Sequence, residues 1–183
     1  MDNKGKILTL LLATVLSLIC IVVGLPLLFF SCGSTQTEVL TVTGIELSAE
    51  GPLFSGSNTA QGICRAELDA WLKSRGKTSA EVREVRLTRA QVYVPDTTNL
   101  DGLASVTLMF ASDNIDMQTM GALNPIPAGQ HRIDIPVAQA QQQIKWFVVQ
   151  PAFSVVLDAD LKADSDAGLG MKADLEFSVS IHQ

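Results

Sequence analysis

The chain has 183 residues, thirteen Lys and Arg against nineteen Asp and Glu for a formal net charge of −6, two His, three Cys and 5% aromatic residues. An acidic balance with few aromatics argues against a nucleic-acid partner. Three cysteines provide no disulfide framework, and two widely separated histidines, His131 and His182, leave little material for general-base or zinc chemistry.

In chain order, the first feature is Ile7–Ser31, twenty-five residues without a charge, preceded by Lys4 and Lys6 and followed by Cys32. A helix needs about 20 apolar residues to cross the hydrocarbon core, and a cleavable signal usually has a shorter run of about 7–15. The length favours a retained transmembrane helix. Phe29-Phe30-Ser31-Cys32-Gly33 also resembles the lipobox of bacterial lipoproteins, which implies lipidation of Cys32 after removal of residues 1–31. Phe29 stands where that family usually has Leu. Both readings place the lysines inside and the rest of the chain outside, since no basic residue follows the run until Arg65.

Three parts follow: an anchor or lipoprotein signal over residues 1–32, a polar tether over 33–38, and one extracytoplasmic domain over 39–183. About 150 residues is the usual size of a single domain with its own core. Val39–Leu47 is rich in β-branched residues and reads as a strand ended by Gly51-Pro52. Ser55–Thr59 reads as a loop of small residues. Leu68, Trp71 and Leu72 are spaced for a helical turn that Gly76 can end. Thr78 and Glu81 have capping-box spacing ahead of a strand over Val85–Val94.

Leu103–Ala111 alternates as a half-buried strand, whereas Asp113–Gly129 reads as a long irregular connection, a kind of segment that often carries function. Arg132–Ile135 is a short strand stopped by Pro136, and Ala138–Val148 a helical segment with Ile144, Phe147 and Val148 on one face. The strongest alternation comes last. Val155–Leu161 and Met171–Ile181 alternate apolar with polar residues on either side of Asp164–Gly168, and read as a hairpin with one wet face. Strands with one apolar face must bury it against another sheet, so the fold expected is mainly β, an antiparallel β-sandwich with one or two short helices.

Gly51–Ala60, Val85–Val92, Asp160–Lys162 and Leu175–Val179 resemble segments of the small membrane-anchored, lipoprotein-like β-sandwich proteins of Bacteroidota and related bacteria. The resemblance implies the fold and the anchorage and carries no activity.

Chemistry-bearing patterns are few. The sequence has no Gly-x-Ser-x-Gly elbow, no His-Glu-x-x-His pair and no phosphate loop after a strand. Asp158, Asp160, Asp164 and Asp166 are candidate calcium ligands because calcium takes converging carboxylates from a turn, but their spacing departs from the EF-hand and fits a solvated strand face. Cys64 reads as a small buried apolar residue. No enzymatic activity and no cofactor are expected.

The expected function is that of an accessory or structural subunit held at a bacterial membrane, its domain in the periplasm packing on a larger respiratory, photosynthetic or secretion complex. Met117, Met120 and Trp146 are the expected partner contacts. The alternative is a free lipoprotein that binds a small ligand, lipid or glycan at the outer membrane.

Overall fold

The computed structural model describes residues 34–95 and 98–182. The Ile7–Ser31 run and Cys32 lie outside the described residues. Among the described residues no helix is long and apolar enough to cross a membrane.

The elements in chain order are β1 (Thr35–Ala49), β2 (Gly56–Cys64), helix α1 (Leu68–Lys73), a 3₁₀ turn (Ser79–Glu81), β3 (Val82–Tyr93), β4 (Leu103–Ser112), β5 (Ile115–Leu123), β6 (Arg132–Asp134), helix α2 (Ile144–Val148), β7 (Phe153–Leu161) and β8 (Leu169–His182). The fold is mainly β and antiparallel, with the strand order β5-β4-β7-β2-β1-β8-β3-β6. Between β1 and β2 the register is reduced to one pair, Ser48↔Gln61. β2 meets β7 without interruption from Gly56↔Leu161 to Cys64↔Phe153, β3 meets β8 from Val82↔Ile181 to Tyr93↔Lys172, and β6 adds a short edge on β3 from Gln91↔Asp134 to Tyr93↔Arg132.

The weak junction divides the sheet into halves, β1-β8-β3-β6 and β2-β7-β4-β5, whose apolar faces meet. Phe110 of β4 and Phe177 of β8 belong to different halves, yet their ring centroids are 6.2 Å apart. Phe147 and Phe153 complete the cluster, lying 5.9 and 4.9 Å from Phe110 at tilted or edge-on angles, as ring quadrupoles prefer. The sheet has therefore curled into a sandwich. Neighbouring strands pair first with last, second with seventh, third with sixth and fourth with fifth. The domain is one long hairpin rolled up, the eight-stranded jelly roll.

Both seams of the roll are tied at a single place. At one, a Cβ added to Gly62 would come within 1.8 Å of the Glu46 carbonyl oxygen, so only glycine lets β2 cross β1 so closely. At the other, the chain leaving β6 crosses from one half to the other. Ile135 N–H donates to Ala90 of β3, and Ala138 N–H donates to Met120 of β5. Gly121 bridges Val137 there, and a Cβ on it would meet the Pro136 carbonyl oxygen at 2.3 Å.

Several expected elements are found. β3, β4, β6, β7 and β8 lie where alternation places them, and β8 buries Met171, Ala173, Leu175, Phe177, Val179 and Ile181. In α1 Leu68 and Leu72 are buried; Gly76 takes φ +67° and Lys77 N–H donates to the Leu72 carbonyl, which ends the helix. Glu81 accepts from both N–H and Oγ1 of Thr78, which holds its carboxyl below the usual carboxylate range.

Other expectations are corrected. Residues 35–38, read as tether, belong to β1, which pairs with β8 and carries the Thr37 to Ser180 hydroxyl contact; β-sheet hydrogen bonds hold them regardless of their polar side chains. The two last strands are not a hairpin, since β2 and β1 lie between them. Alternation records which face is buried, and is silent on the neighbour. Asp113–Gly129 is not an irregular connection: it contains β5, joined to β4 through the two residues after Ser112. Helix in Ala138–Val148 is confined to Ile144–Val148, with Ile144, Phe147 and Val148 buried.

Candidate functional site

Because β1 and β2 meet at one point and then separate into different halves, a groove opens on the outer surface along their junction. Its larger part has a volume of about 560 Å³ and is lined by Ser48, Glu50, Asn58, Gln61, Ile63 and Ser154, among others. A second part, about 450 Å³, shares Ile63 and runs along Val42–Glu46 to Arg65. Strand alternation turns Thr59, Gln61 and Ile63 of β2 outward while Ala60 and Cys64 face the core. In β1, Gly44 takes φ +72°, bending the strand beside the groove.

The lining is mixed: Ser48, Asn58, Thr59, Gln61 and Ser154 bring hydroxyls and amides to the larger part, Val42, Ile45, Leu53 and Ile63 are apolar, and Glu46 and Glu50 stand on one wall with Arg65 at one end. Ile63 adds an apolar surface, 52% exposed. Asn58 is held in place by donating from Nδ2 to the carbonyls of Phe54 and Gly56. Such a surface can exchange hydrogen bonds with a polar chain or sugar while Ile63 covers an apolar patch of it. A nucleophile and base are not brought together at the groove. Cys64 faces the core and its thiol is pushed up to about 12 by burial; His131 is exposed, with its ring Nδ1 against the Thr98 carbonyl.

A second polar array crosses the outer face of the other half. The Asp174 carboxylate accepts from Gly44 N–H at 2.8 Å, Tyr93 Oη at 3.2 Å and Arg132 at 3.2 Å. Gln91 donates to Asp134 and accepts from Arg132, Arg89 joins Asp134 to Glu176, and Arg132 lies 4.0 Å from the Tyr93 ring centroid. Burial, then Asp174, raises the Tyr93 hydroxyl above its ordinary value. Every member is satisfied by another, which suits a brace across β1, β8, β3 and β6.

The candidate calcium ligands do not converge. Asp158 and Asp160 lie along β7, where Asp158 takes the Ser57 hydroxyl, whereas Asp164 caps the following loop by accepting Ser55 N–H at 2.7 Å. Asp166 lies further along that loop. Among the described residues no group of three or more His, Cys, Asp or Glu is placed to hold a metal ion. Of the expected partner contacts, Met117 and Trp146 are 56% and 59% exposed, whereas Met120 is fully buried. An irregularity in the β4–β5 register at Met120 turns it inward together with Gly121.

The expected loop Ser55–Thr59 instead opens strand β2, Gly56–Cys64, and the sequence reading assigns no element to Ala60–Cys64, so it does not find the groove residues. The available signal was Ala60 and Cys64, both buried, set among outward Thr59, Gln61 and Ile63; small side chains hide such alternation.

No protein-family model and no curated protein matches the chain. Among solved structures it is similar to infectious bursal disease virus, Gx strain, at 12% identity and TM-score 0.39 over 82% of this chain and 33% of that one. T=1 particles derived from the same virus give 13% and 0.40 over 80% and 32%. The chain thus spans about a third of the length of those proteins. Desmodium yellow mottle tymovirus gives 12% and 0.31 over 82% and 90%. The jelly roll rests on the strand order described above, to which likenesses of this size add nothing.

Proposed function

We propose that the protein is a non-enzymatic accessory subunit, anchored in a bacterial membrane through residues 1–32, whose periplasmic jelly roll binds a subunit of a larger membrane complex. The observation that carries this reading is the open seam of the roll. Residues of Val42–Glu50 and Asn58–Arg65 flank the groove while β1 and β2 share one register pair, with Ile63 in the groove and Val39 further along β1 exposed by 52% and 57%. A surface of unpaired strand edges and exposed aliphatic residues is what a partner polypeptide covers. Met117, 56% exposed, is a further contact of the same kind.

The same groove supports a second reading, a lipoprotein that takes a small polar ligand such as a glycan. Its volume of about 560 Å³ lies within the usual range for small-molecule sites, and Ser48, Asn58, Thr59, Gln61 and Ser154 in its lining offer hydroxyls and amides to sugar hydroxyls.

Extraction of the native protein in mild detergent separates the two. The accessory-subunit reading expects a fixed set of proteins to co-purify and Ile63→Arg to release them; a solitary, monodisperse protein with either side chain defeats it. Cys32→Ser tests the anchor: a lipoprotein accumulates as precursor, and a retained span is unaffected.

A further inference from the structure

We infer that the end of the jelly roll at which β1 begins rests in the headgroup layer of the bilayer, with Trp146 as its interfacial side chain. This rests on the anchored reading above, and adds an orientation and a lipid contact to it.

The first argument is reach. β1 begins at Thr35, four residues after the apolar run closes at Ser31 and three after Cys32. A fully extended chain spans at most ~3.6 Å per residue, so Thr35 can lie no further than about 14 Å from Ser31 and about 18 Å from Phe30, the last apolar residue of the run. The headgroup region is itself about 5–8 Å thick on each side. A spanning helix and a lipidated Cys32 give the same result, since three residues reach about 11 Å. A tether up to Val39 could reach about 25 Å from Cys32; with Thr35–Glu38 in the sheet the reach falls to less than half of that.

The second argument is what the topology gathers at this end. β1 starts here, so antiparallel β8 ends here and β2, opposed to β1, ends here as well. Both helices follow: α1 connects the end of β2 to the start of β3, and α2 precedes the start of β7, with Lys145 Nζ donating to the Val82 carbonyl at the start of β3. The two tryptophans of the chain, Trp71 on α1 and Trp146 on α2, therefore share one end. Trp71 is half-buried under Arg75, which pairs with Glu38 of β1. Trp146 is 59% exposed while its neighbours Ile144, Phe147 and Val148 are buried, which leaves its indole outside the core. Tryptophan is enriched where membrane meets water, and Lys145, held on Val82, places a positive charge 6.0 Å from the Trp146 ring centroid.

Charge supports the same orientation. At this end Arg65, Lys73, Arg75, Lys77, Arg83 and Lys145 balance Glu38, Glu67, Asp69, Glu81, Asp113 and Asp116. The opposite end carries Glu50, Asp101, Asp160, Asp164 and Asp166 against Lys162, Lys172 and Arg132. Anionic lipid repels the second end more than the first.

The test uses the full chain with Trp71→Phe, so that Trp146 is the sole tryptophan, reconstituted into phosphatidylcholine–phosphatidylglycerol vesicles with ordinary or brominated acyl chains. Circular dichroism checks that the variant keeps its sheet content. The expected result is loss of about half or more of the Trp146 emission in brominated vesicles, as for an indole at the interface, with exposed Lys73 shielded from amine labelling relative to Lys162. An unquenched Trp146 on protein that stays in the vesicles through an alkaline wash overturns the inference and leaves the anchor standing; that face then belongs to a protein partner. Protein released by the wash overturns the anchored reading, and this inference with it.

Discussion

The α-carbon of Gly62 faces the carbonyl oxygen of Glu46 so closely that a methyl group there would lie 1.8 Å from it. The obstacle is backbone, which cannot turn aside as a side chain does. Gly62→Ala must push β1 and β2 apart at the one place where they pair. A loss of ~1–3 kcal/mol is expected, read as a lowered midpoint in urea or a fall of several degrees in Tm. Unchanged stability would mean that the seam is not tied there.

Phe110 ties the two halves of the sandwich together, fully buried and in contact with Phe147, Phe153 and Phe177. Phe110→Ala should cost ~3–5 kcal/mol, the range for emptying an aromatic site in a packed core. Phe54→Ala is the control, since that ring is 66% exposed, and its midpoint should stay within about 0.5 kcal/mol of the parent.

Gln91 is a buried polar side chain with both ends of its amide engaged, by Asp134 and Arg132. Gln91→Leu removes two hydrogen bonds, but the groups left behind keep access to water: their side chains are 66% and 47% exposed. The expected cost is ~0.5–1.5 kcal/mol, well below that of Phe110→Ala. Chemical denaturation of both variants under one condition checks the ranking.

Cys64 carries a pH dependence. Burial pushes its thiol up to about 12 from the 9.0 of a free thiol, so the unfolded chain loses its proton first as pH rises. The folded state then holds more protons, and stability declines with rising pH. The contribution is intact below pH 9 and falls away between 9 and 12, at no more than ~1.4 kcal/mol per pH unit. With Cys20→Ser and Cys32→Ser in place, a disulfide reagent at pH 8 should modify Cys64 only as fast as the domain opens. Adding Cys64→Ala should flatten the alkaline slope; a slope that survives belongs to another group.

The sheet was legible in the sequence wherever side chains are large and the strand regular. In β8 and β7, Val, Leu, Phe and Ile alternate with charged and polar residues, and no other structure buries such a pattern on one side only. β2 was not legible because it faces the core with Ala60 and Cys64 and meets β1 through Gly62, all too small to mark a period. β5 was lost to the irregularity at Met120, which buries two consecutive residues and breaks the alternation on which strand recognition rests. The groove was out of reach for a related reason: it follows from which strands are neighbours, and alternation does not encode neighbours. The exposed Trp146 was legible, because Ile144, Phe147 and Val148 already claim the inner face of their helix.

The rolled hairpin also sets an order of events. β8 stands between β1 and β3, so during synthesis the first strand and the third both wait for the final fourteen-residue strand before either has its shared neighbour. β4 and β5, separated by two residues, can pair over most of their length as soon as they emerge, whereas consecutive β1 and β2 share a single register pair. Such a chain gains little from folding piecemeal, and its long-range pairings belong with the slower all-β topologies. A growing polypeptide of this kind arrives outside the ribosome or translocon with open sheet edges, and closes them in one late, concerted step once β8 has emerged.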